Sequence, residues 1–311
     1  MKTIVPTIVI TAALSASMTA FAQAPSAPQS PHTFTGNLGF VTDYRFRGIS
    51  QTYKLPALQG GFDYSHSSGL YLGTWASNVN SSSNAFGVAY ANGAGLEWDM
   101  YGGYKFEPIK DLGLDLGVLY YYYPGARYVV TQKTKYDNLE IYLGASYKWF
   151  SAKYSNTLTD YFGTNNNTFG APVGGNNANT ANGYCGLTSA GVAQAATSPD
   201  CLGAAPGGSK NSGYLDLNGT FEVGEKMNLG VHVGHQSVKH YNKLSYTDYK
   251  LSLTKEWGWF TWGAAIVGTN ANANLWRGGQ ITGSAIPAGS AVSETKDLRN
   301  TTLVLSVSKT F

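Results

Sequence analysis

Twelve stretches of this 311-residue chain alternate apolar and polar residues with a period of two, and the connections between them run long, short, long, short throughout. A period of two sends successive side chains to opposite faces of a strand, so each stretch has two different surroundings. The clearest is LEWDMYGGYKF, where Leu96, Trp98, Met100, Tyr104 and Phe106 alternate with Glu97, Asp99, Tyr101 and Lys105. LGLDLGVLYYYY sets Leu114, Leu116, Val118 and Tyr120 against Asp115, Gly117 and Tyr121, and NLEIYLGASYKW sets Leu139, Ile141, Leu143, Ala145 and Tyr147 against Glu140, Tyr142, Ser146 and Lys148. The first stretch, FTGNLGFVTDYRF, places Phe34, Leu38, Phe40, Tyr44 and Phe46 opposite Asn37, Asp43 and Arg45. Later stretches put Asp216, Glu222, His232, Asp248 and Lys250 on the polar side. LYLGTWASN is apolar in both registers and gives no orientation, and SAKYSNTLTDY is weaker.

The short joints are Ser67-Ser68-Gly69, EPIKDLG, the corner at Trp149-Phe150, VGEK and Trp257-Gly258. Between them lie GISQTYKLP, NVNSSSNAFGVAYANGAG, PGARYVVTQKTKYD, a tract over 162–212 rich in Asn, Gly and Ala, SVKHYNK, and a long stretch before the final strand. This rhythm predicts an up-and-down antiparallel meander with both termini on the short-turn side. Such a sheet either closes or leaves edges open to aggregation. About eight strands already enclose a ligand, so a dozen leave a lumen too wide for side chains alone to fill. The apolar face is therefore expected outward against lipid, with the polar face lining the interior. Strands of roughly 9–11 residues cross a bilayer when tilted. The expected fold is an all-β transmembrane antiparallel up-and-down β-barrel of about 12 strands over 34–311, both termini periplasmic, with 162–212 as a long extracellular loop.

Composition agrees. Charged residues make up 13% of the chain, against about 25% in typical soluble domains. Aromatics reach 14%, with 22 Tyr, alongside 38 Gly. The formal charge of +3 implies no nucleic-acid partner. No run approaches the length of apolar sequence needed for a membrane-spanning helix. MKTIVPTIVITAALSASMTAFAQAP has one basic residue, a short apolar stretch and the small-x-small pattern Ala20-Phe21-Ala22. It reads as a secretory signal over 1–22, leaving a short periplasmic segment at 23–33. Cys185 and Cys201, close together in an exported chain, favour one disulfide over a metal site. Closing a loop of that size stabilises by about 3 kcal/mol in the chain-entropy model.

Trp149, Trp257 and Trp259 fall at the short turns, and Tyr44 and the Tyr120–Tyr123 run at the long-loop ends, as two interfacial girdles would require. The chain ends on LVLSVSKTF, apolar at Leu303, Leu305 and Val307. A last strand closing on Phe311 resembles the signal by which the barrel assembly machinery recognises outer-membrane barrels. Lys309 departs from it.

The run Asp43-Tyr44-Arg45-Phe46-Arg47-Gly48-Ile49-Ser50-Gln51, with Pro56-Ala57-Leu58-Gln59-Gly60 and Gly73-Thr74-Trp75-Ala76-Ser77-Asn78, resembles the TorF family of porin-like proteobacterial outer-membrane proteins. Glu97-Trp98-Asp99, the Tyr-Tyr-Pro-Gly run at Tyr122–Gly125 and Tyr249–Leu253 extend the likeness. The tract around Cys185 departs from it. The resemblance implies a pore and supplies no substrate, cofactor or catalytic residue.

The expected pore-lining residues are Asp43, Arg45, Glu97, Asp99, Lys105, Asp115, Glu140, Lys148, Asp216, Asp248 and Lys250. Acids outnumber bases among them, which predicts mild cation selectivity. The same residues, paired, would instead brace a filled lumen. Arg47 is a constriction or loop-anchor candidate. An enzyme is not expected. A barrel acyl hydrolase needs a serine with a histidine in reach, and no G-x-S-x-G occurs, while alternation sends His232 and His235 to opposite faces. The expectation is therefore a channel for small hydrophilic solutes or ions, without metal or cofactor, with outer-membrane lipid around it. The sequence leaves association into homo-oligomers open. The alternative is a non-conducting barrel whose outer loops bind a ligand or surface.

Overall fold

The computed structural model describes residues 30–80, 90–92, 94–128, 134–165, 168, 207–279 and 295–311. The leader at 1–22, Cys185 and Cys201, and most of the 162–212 tract lie outside the described residues. Twelve strands form the wall: β1 (His32–Val41), β2 (Ala57–His66), β3 (Leu70–Asn78), β4 (Leu96–Ile109), β5 (Leu112–Tyr122), β6 (Asn138–Tyr147), β7 (Phe150–Thr157), β8 (Gly213–Gly224), β9 (Met227–Ser237), β10 (Tyr246–Trp257), β11 (Phe260–Thr269) and β12 (Thr302–Thr310). Each pairs antiparallel with its sequence neighbours, and β1 pairs with β12 to close the barrel. The closing seam runs from Val41↔Ser306 to Asn37↔Thr310, and Gly36 and Phe311 exchange both backbone hydrogen bonds, at 2.7 and 2.9 Å.

The five short connections all become tight turns, each with one residue in the left-handed region: Gly69, Asp111, Lys148, Lys226 and Gly258. Both ends of the barrel chain lie on this side, since His32 pairs with His66 at the first tight turn. The apolar faces point outward as the alternation predicts. Leu58, Leu72, Leu116, Leu143, Leu251 and Leu305 are all exposed on the outer wall. Trp149, Trp257 and Trp259 are exposed at the short-turn rim, where the Lys309 ammonium lies 4.7 Å from the Trp259 ring centroid. That contact gives the departing residue of the final strand a place at the rim.

Three expectations are corrected. The first strand stops at Val41, five residues before Phe46, and the chain turns into the barrel, so Asp43 and Arg45 sit on an inward segment rather than on a strand face. Tyr44 is consequently 1% exposed and belongs to the interior, not to an outer girdle. Within Tyr120–Tyr123 the alternation holds, which buries Tyr121 and Tyr123 inside and leaves Tyr120 and Tyr122 outside. Lys148 occupies the β6–β7 turn with φ of 52° and is exposed, because the strand ends one residue earlier at Tyr147.

Inside, tyrosine rings cross onto glycines of neighbouring strands. A methyl group at Gly103 would run into the carbonyl oxygen of Leu116, the Cα of Gly117 and the Tyr71 hydroxyl, and one at Gly117 into the Tyr142 ring. The Gly103 obstacle is largely backbone, so it has little freedom to yield. Gly103→Ala is expected to cost about 1–3 kcal/mol, read as a lower urea midpoint of the refolded barrel. Gly95→Ala, where the added methyl meets open space, should leave that midpoint unchanged.

Candidate functional site

The residues of the Asp43–Gln51 run form a hairpin, with Arg45–Phe46 paired to Ile49–Ser50, inserted into the barrel. Gly48 has φ of +82°, a conformation that favours glycine, and a side chain there would meet Asp248 and the Gly268 carbonyl. The hairpin is fixed at its root. Asp43 accepts from the Arg45 Nε (2.6 Å), the Ser50 hydroxyl (2.6 Å) and the Thr52 hydroxyl (3.3 Å). The Arg45 guanidinium also donates to the carbonyls of Gly48, Leu298 and Asn300 and to the Thr302 hydroxyl. One arginine thus ties the hairpin to the chain entering β12.

At the hairpin tip, Arg47 reaches across the lumen. Its guanidinium donates to both oxygens of Glu140 on β6, at 2.9 and 2.8 Å, and to the Gln236 amide oxygen on β9, at 2.7 Å. It lies 4.1 Å from the Tyr214 ring centroid on β8 and 4.7 Å from that of Phe46. In the ring of strands, β6, β8 and β9 lie on the side opposite β1, from which the hairpin departs. Burial opposes the Arg47 charge, but Glu140 more than offsets it and holds the guanidinium charged.

Around this contact the loop-end lumen is filled. Ile49, Tyr53, Tyr121, Tyr123, Tyr136, Tyr161, Phe162, Tyr241, Leu244, Leu275, Trp276 and Leu298 form one buried cluster, with Phe46 packed against it. Phe46 meets Tyr121 and Phe162 edge-on, at 5.5 and 5.6 Å between ring centroids. Phe162 opens the tract expected to lie outside the barrel, yet it is buried inside. Ser209 holds the two ends of that tract together through Tyr161 and Thr164.

The other expected lining residues separate into distinct groups. Glu97 accepts from the Tyr44 hydroxyl (2.6 Å) and the Tyr123 hydroxyl (2.8 Å). Burial, with the Glu97 charge, raises both phenols well above their ordinary range, so they remain donors. Asp99, two residues along the same face, is buried, and both its carboxylate oxygens are unpartnered among the described residues. Asp115 accepts from the Tyr71 hydroxyl (2.7 Å), and the Lys105 ammonium lies 4.5 Å from the Tyr71 ring centroid. His232 stands between Asp216 (3.0 Å) and Asp248 (2.8 Å), with the Tyr214 hydroxyl donating to Asp248 at 3.0 Å. Lys250 is the register partner of His232 on β10. Asp43, Arg45, Glu97, Asp99, Lys105, Asp115, Glu140, Asp216, Asp248 and Lys250 therefore lie inside the barrel, and Lys148 does not.

Sequence reasoning did not place Lys153, Tyr44, Tyr123 and Gln236 in this interior. Lys153 sits on the weakly patterned β7, with its ammonium 5.6 Å from the Tyr142 ring centroid. Gln236 carried no signal beyond its place on the polar face of β9.

Arg47→Ala would leave Glu140 buried, with the Asn138 amide as a remaining donor at 3.2 Å. Breaking a buried ion pair from one side costs about 3–5 kcal/mol. The urea midpoint of Arg47→Ala should fall accordingly, and Arg47→Ala/Glu140→Gln should recover part of the loss. Equal losses in the single and double variants would show that packing, not charge, holds the hairpin.

Among solved structures, the chain is similar to the KdgM porin, at 6% identity over 89% of this chain and 98% of that chain, with a TM-score of 0.42. It is also similar to the NanC porin, at 7% identity over 89% and 98%, with a TM-score of 0.43. An outer-membrane channel from Pseudomonas putida F1 aligns at 10% identity over 92% and 97%, with a TM-score of 0.39. No curated protein matches the sequence. The model of a family described as "Bacterial protein of unknown function (Gcw_chp)" matches residues 25–184 and 170–311. With nearly the whole chain matched in those two overlapping pieces, the protein belongs to the Gcw_chp family.

Proposed function

We propose that this protein is an outer-membrane channel of porin type for small hydrophilic solutes or ions, in which the Asp43–Gln51 hairpin forms the constriction. The observation that carries this reading is the reversal of an ordinary protein's polarity. The wall of the closed barrel is apolar outside, while carboxylates, lysines and a histidine face in. A soluble barrel of these strands would hide Leu58, Leu72 and Leu251 and expose Asp115 and Asp248. Lipid is the solvent that suits the opposite arrangement.

The reading includes export by the 1–22 leader, short turns and termini facing the periplasm, and delivery to the assembly machinery through the strand ending at Phe311. The resemblance of the Asp43–Gln51 run to the TorF family supports it. The charge balance of the lining supports a mild cation preference. Glu140, Asp43, Asp216 and Asp248 are each met by a basic side chain, so the excess rests on few acids. An acyl-hydrolase reading is weakened by His232, whose two ring nitrogens each face a carboxylate rather than a serine. Passage past the aromatic cluster requires the hairpin to move, and the Arg47–Glu140 pair is the contact that resists it.

The buried cluster also favours a second reading, a non-conducting barrel whose outer loops bind a ligand or surface. Conductance in planar bilayers separates the two. Under a salt gradient, wild-type protein should give small or infrequent openings with a cation-biased reversal potential, and Arg47→Ser should give larger or more frequent ones. Silence from both proteins, each shown by heat-modifiable gel mobility to be folded, would overturn the channel and leave the loop-binding barrel.

A further inference from the structure

The carboxylates inside the barrel are not equally provided for. Asp43 and Glu140 have arginines, Asp216 and Asp248 share His232, Asp63 accepts from the Tyr101 hydroxyl and Asp115 from Tyr71. Among the described residues Glu97 has two phenol donors and no cation. Asp99 has neither: it is 1% exposed, and among the described residues both its oxygens lack a hydrogen-bond partner. Its cross-strand neighbours are Trp75 and Tyr121, and neither donates to it.

Asp99 and Glu97 share the inward face of β4, with Cα atoms roughly 7 Å apart by strand geometry. Asp99 lies within electrostatic reach of Glu97 and Glu140. Glu140 is met by the Arg47 guanidinium, and no basic side chain forms an ion pair with Glu97 or Asp99 among the described residues. A buried charge without a partner is among the costliest groups a fold can carry. A further acceptor lies on the same inner wall. Gln59, 3% exposed, directs its amide NH2 to Ser77 at 3.3 Å, and its buried amide oxygen is unpartnered among the described residues. Gln59, Ser77 and Glu97 stand in register across β2, β3 and β4. The donor set is therefore all oxygen, beneath a layer of aromatic rings.

We propose that Glu97 and Asp99, with the Gln59 amide oxygen, bind a divalent, oxygen-preferring metal cation inside the barrel. All-oxygen sites with carboxylate charge suit calcium-like ions, which accept irregular coordination and take water for the remaining positions. The cation supplies the charge that Arg47 supplies to Glu140, and it bridges the wall at β4 to the hairpin, because Tyr44 is bonded to Glu97. The site stands on the barrel interior and does not depend on whether the barrel conducts.

The test uses the refolded full-length protein in detergent, with Ca2+ and the luminescent ion Tb3+ as probes. Trp75, Tyr121 and Tyr123 lie close enough to the carboxylates to sensitise bound Tb3+. Wild type should show sensitised emission that Ca2+ displaces, and Ca2+ should raise its unfolding temperature over that in chelator. Asp99→Asn should lose both responses, while Asp63→Asn, which changes an interior acid already held by a tyrosine, should keep them. Absence of both responses in wild-type protein refolded with Ca2+ present would overturn the site, a result that needs no variant to fold. So would full responses in Asp99→Asn, or an Asp99→Asn protein more stable than wild type with and without Ca2+. The last would mean that Asp99 is a neutral carboxyl.

Discussion

The structure depends first on the satisfaction of backbone hydrogen bonds. A sheet whose outer face is apolar gives its edge N–H and C=O groups no polar surroundings, so every strand needs a partner on each side. Twelve strands meet that demand by closing on themselves, and the closure rests on the first strand meeting the last. The Gly36–Phe311 pair ends this seam, one residue past the end of β12. The short turns follow from the same demand. Adjacent strands kept in continuous register require a reversal in a few residues, and one left-handed residue per turn provides it.

Closure creates a second problem. A ring of this size encloses more space than the side chains of its wall fill. The protein fills the loop end with its own connecting segments, and the segment after β1 supplies the centre. The residues from Asp43 to Ile49 divide the work there. Asp43 and Arg45 root the hairpin, Tyr44 bonds Glu97, Phe46 and Ile49 pack among the aromatics, Gly48 makes the turn, and Arg47 spans to the far wall. The wall and the filling differ in what holds them. The wall is a hydrogen-bonded ladder that tolerates few changes of spacing, whereas the filling is held by ion pairs and ring contacts that are separable from it.

Alternation fully prescribes which residues face each solvent along one strand. The polar faces of β4, β5, β6, β8, β9 and β10 were therefore legible, including Glu97, Asp99, Asp115, Glu140, Asp216, His232 and Asp248. Where alternation is weak or ends, the reading failed for a physical reason. Lys153 was not placed because SAKYSNTLTDY has no clear apolar face. Tyr44 and Phe46 continue the alternation of β1, but the backbone leaves the sheet at Val41, and period two says nothing about where a strand stops. Lys148 went wrong in the same way, one residue past the end of β6.

The sequence by itself determined most of the wall: its strand number, the outward face of every strand but β3 and β7, the placing of the short turns and the tryptophan rim beside them. These are local properties, fixed by the two-residue repeat of an extended chain and by the preference of each side chain for its surroundings. Only the tertiary structure decided the interior. Arg47 and Glu140 are 93 residues apart in sequence, and Arg45 and the Leu298 carbonyl 253. No local pattern encodes such pairs, because they exist only after closure has brought opposite walls within reach of one inserted hairpin. The unpartnered state of Asp99 is of the same kind. Its place on the inner face can be read from the sequence, but its lack of a donor among the described residues is a property of the assembled ring.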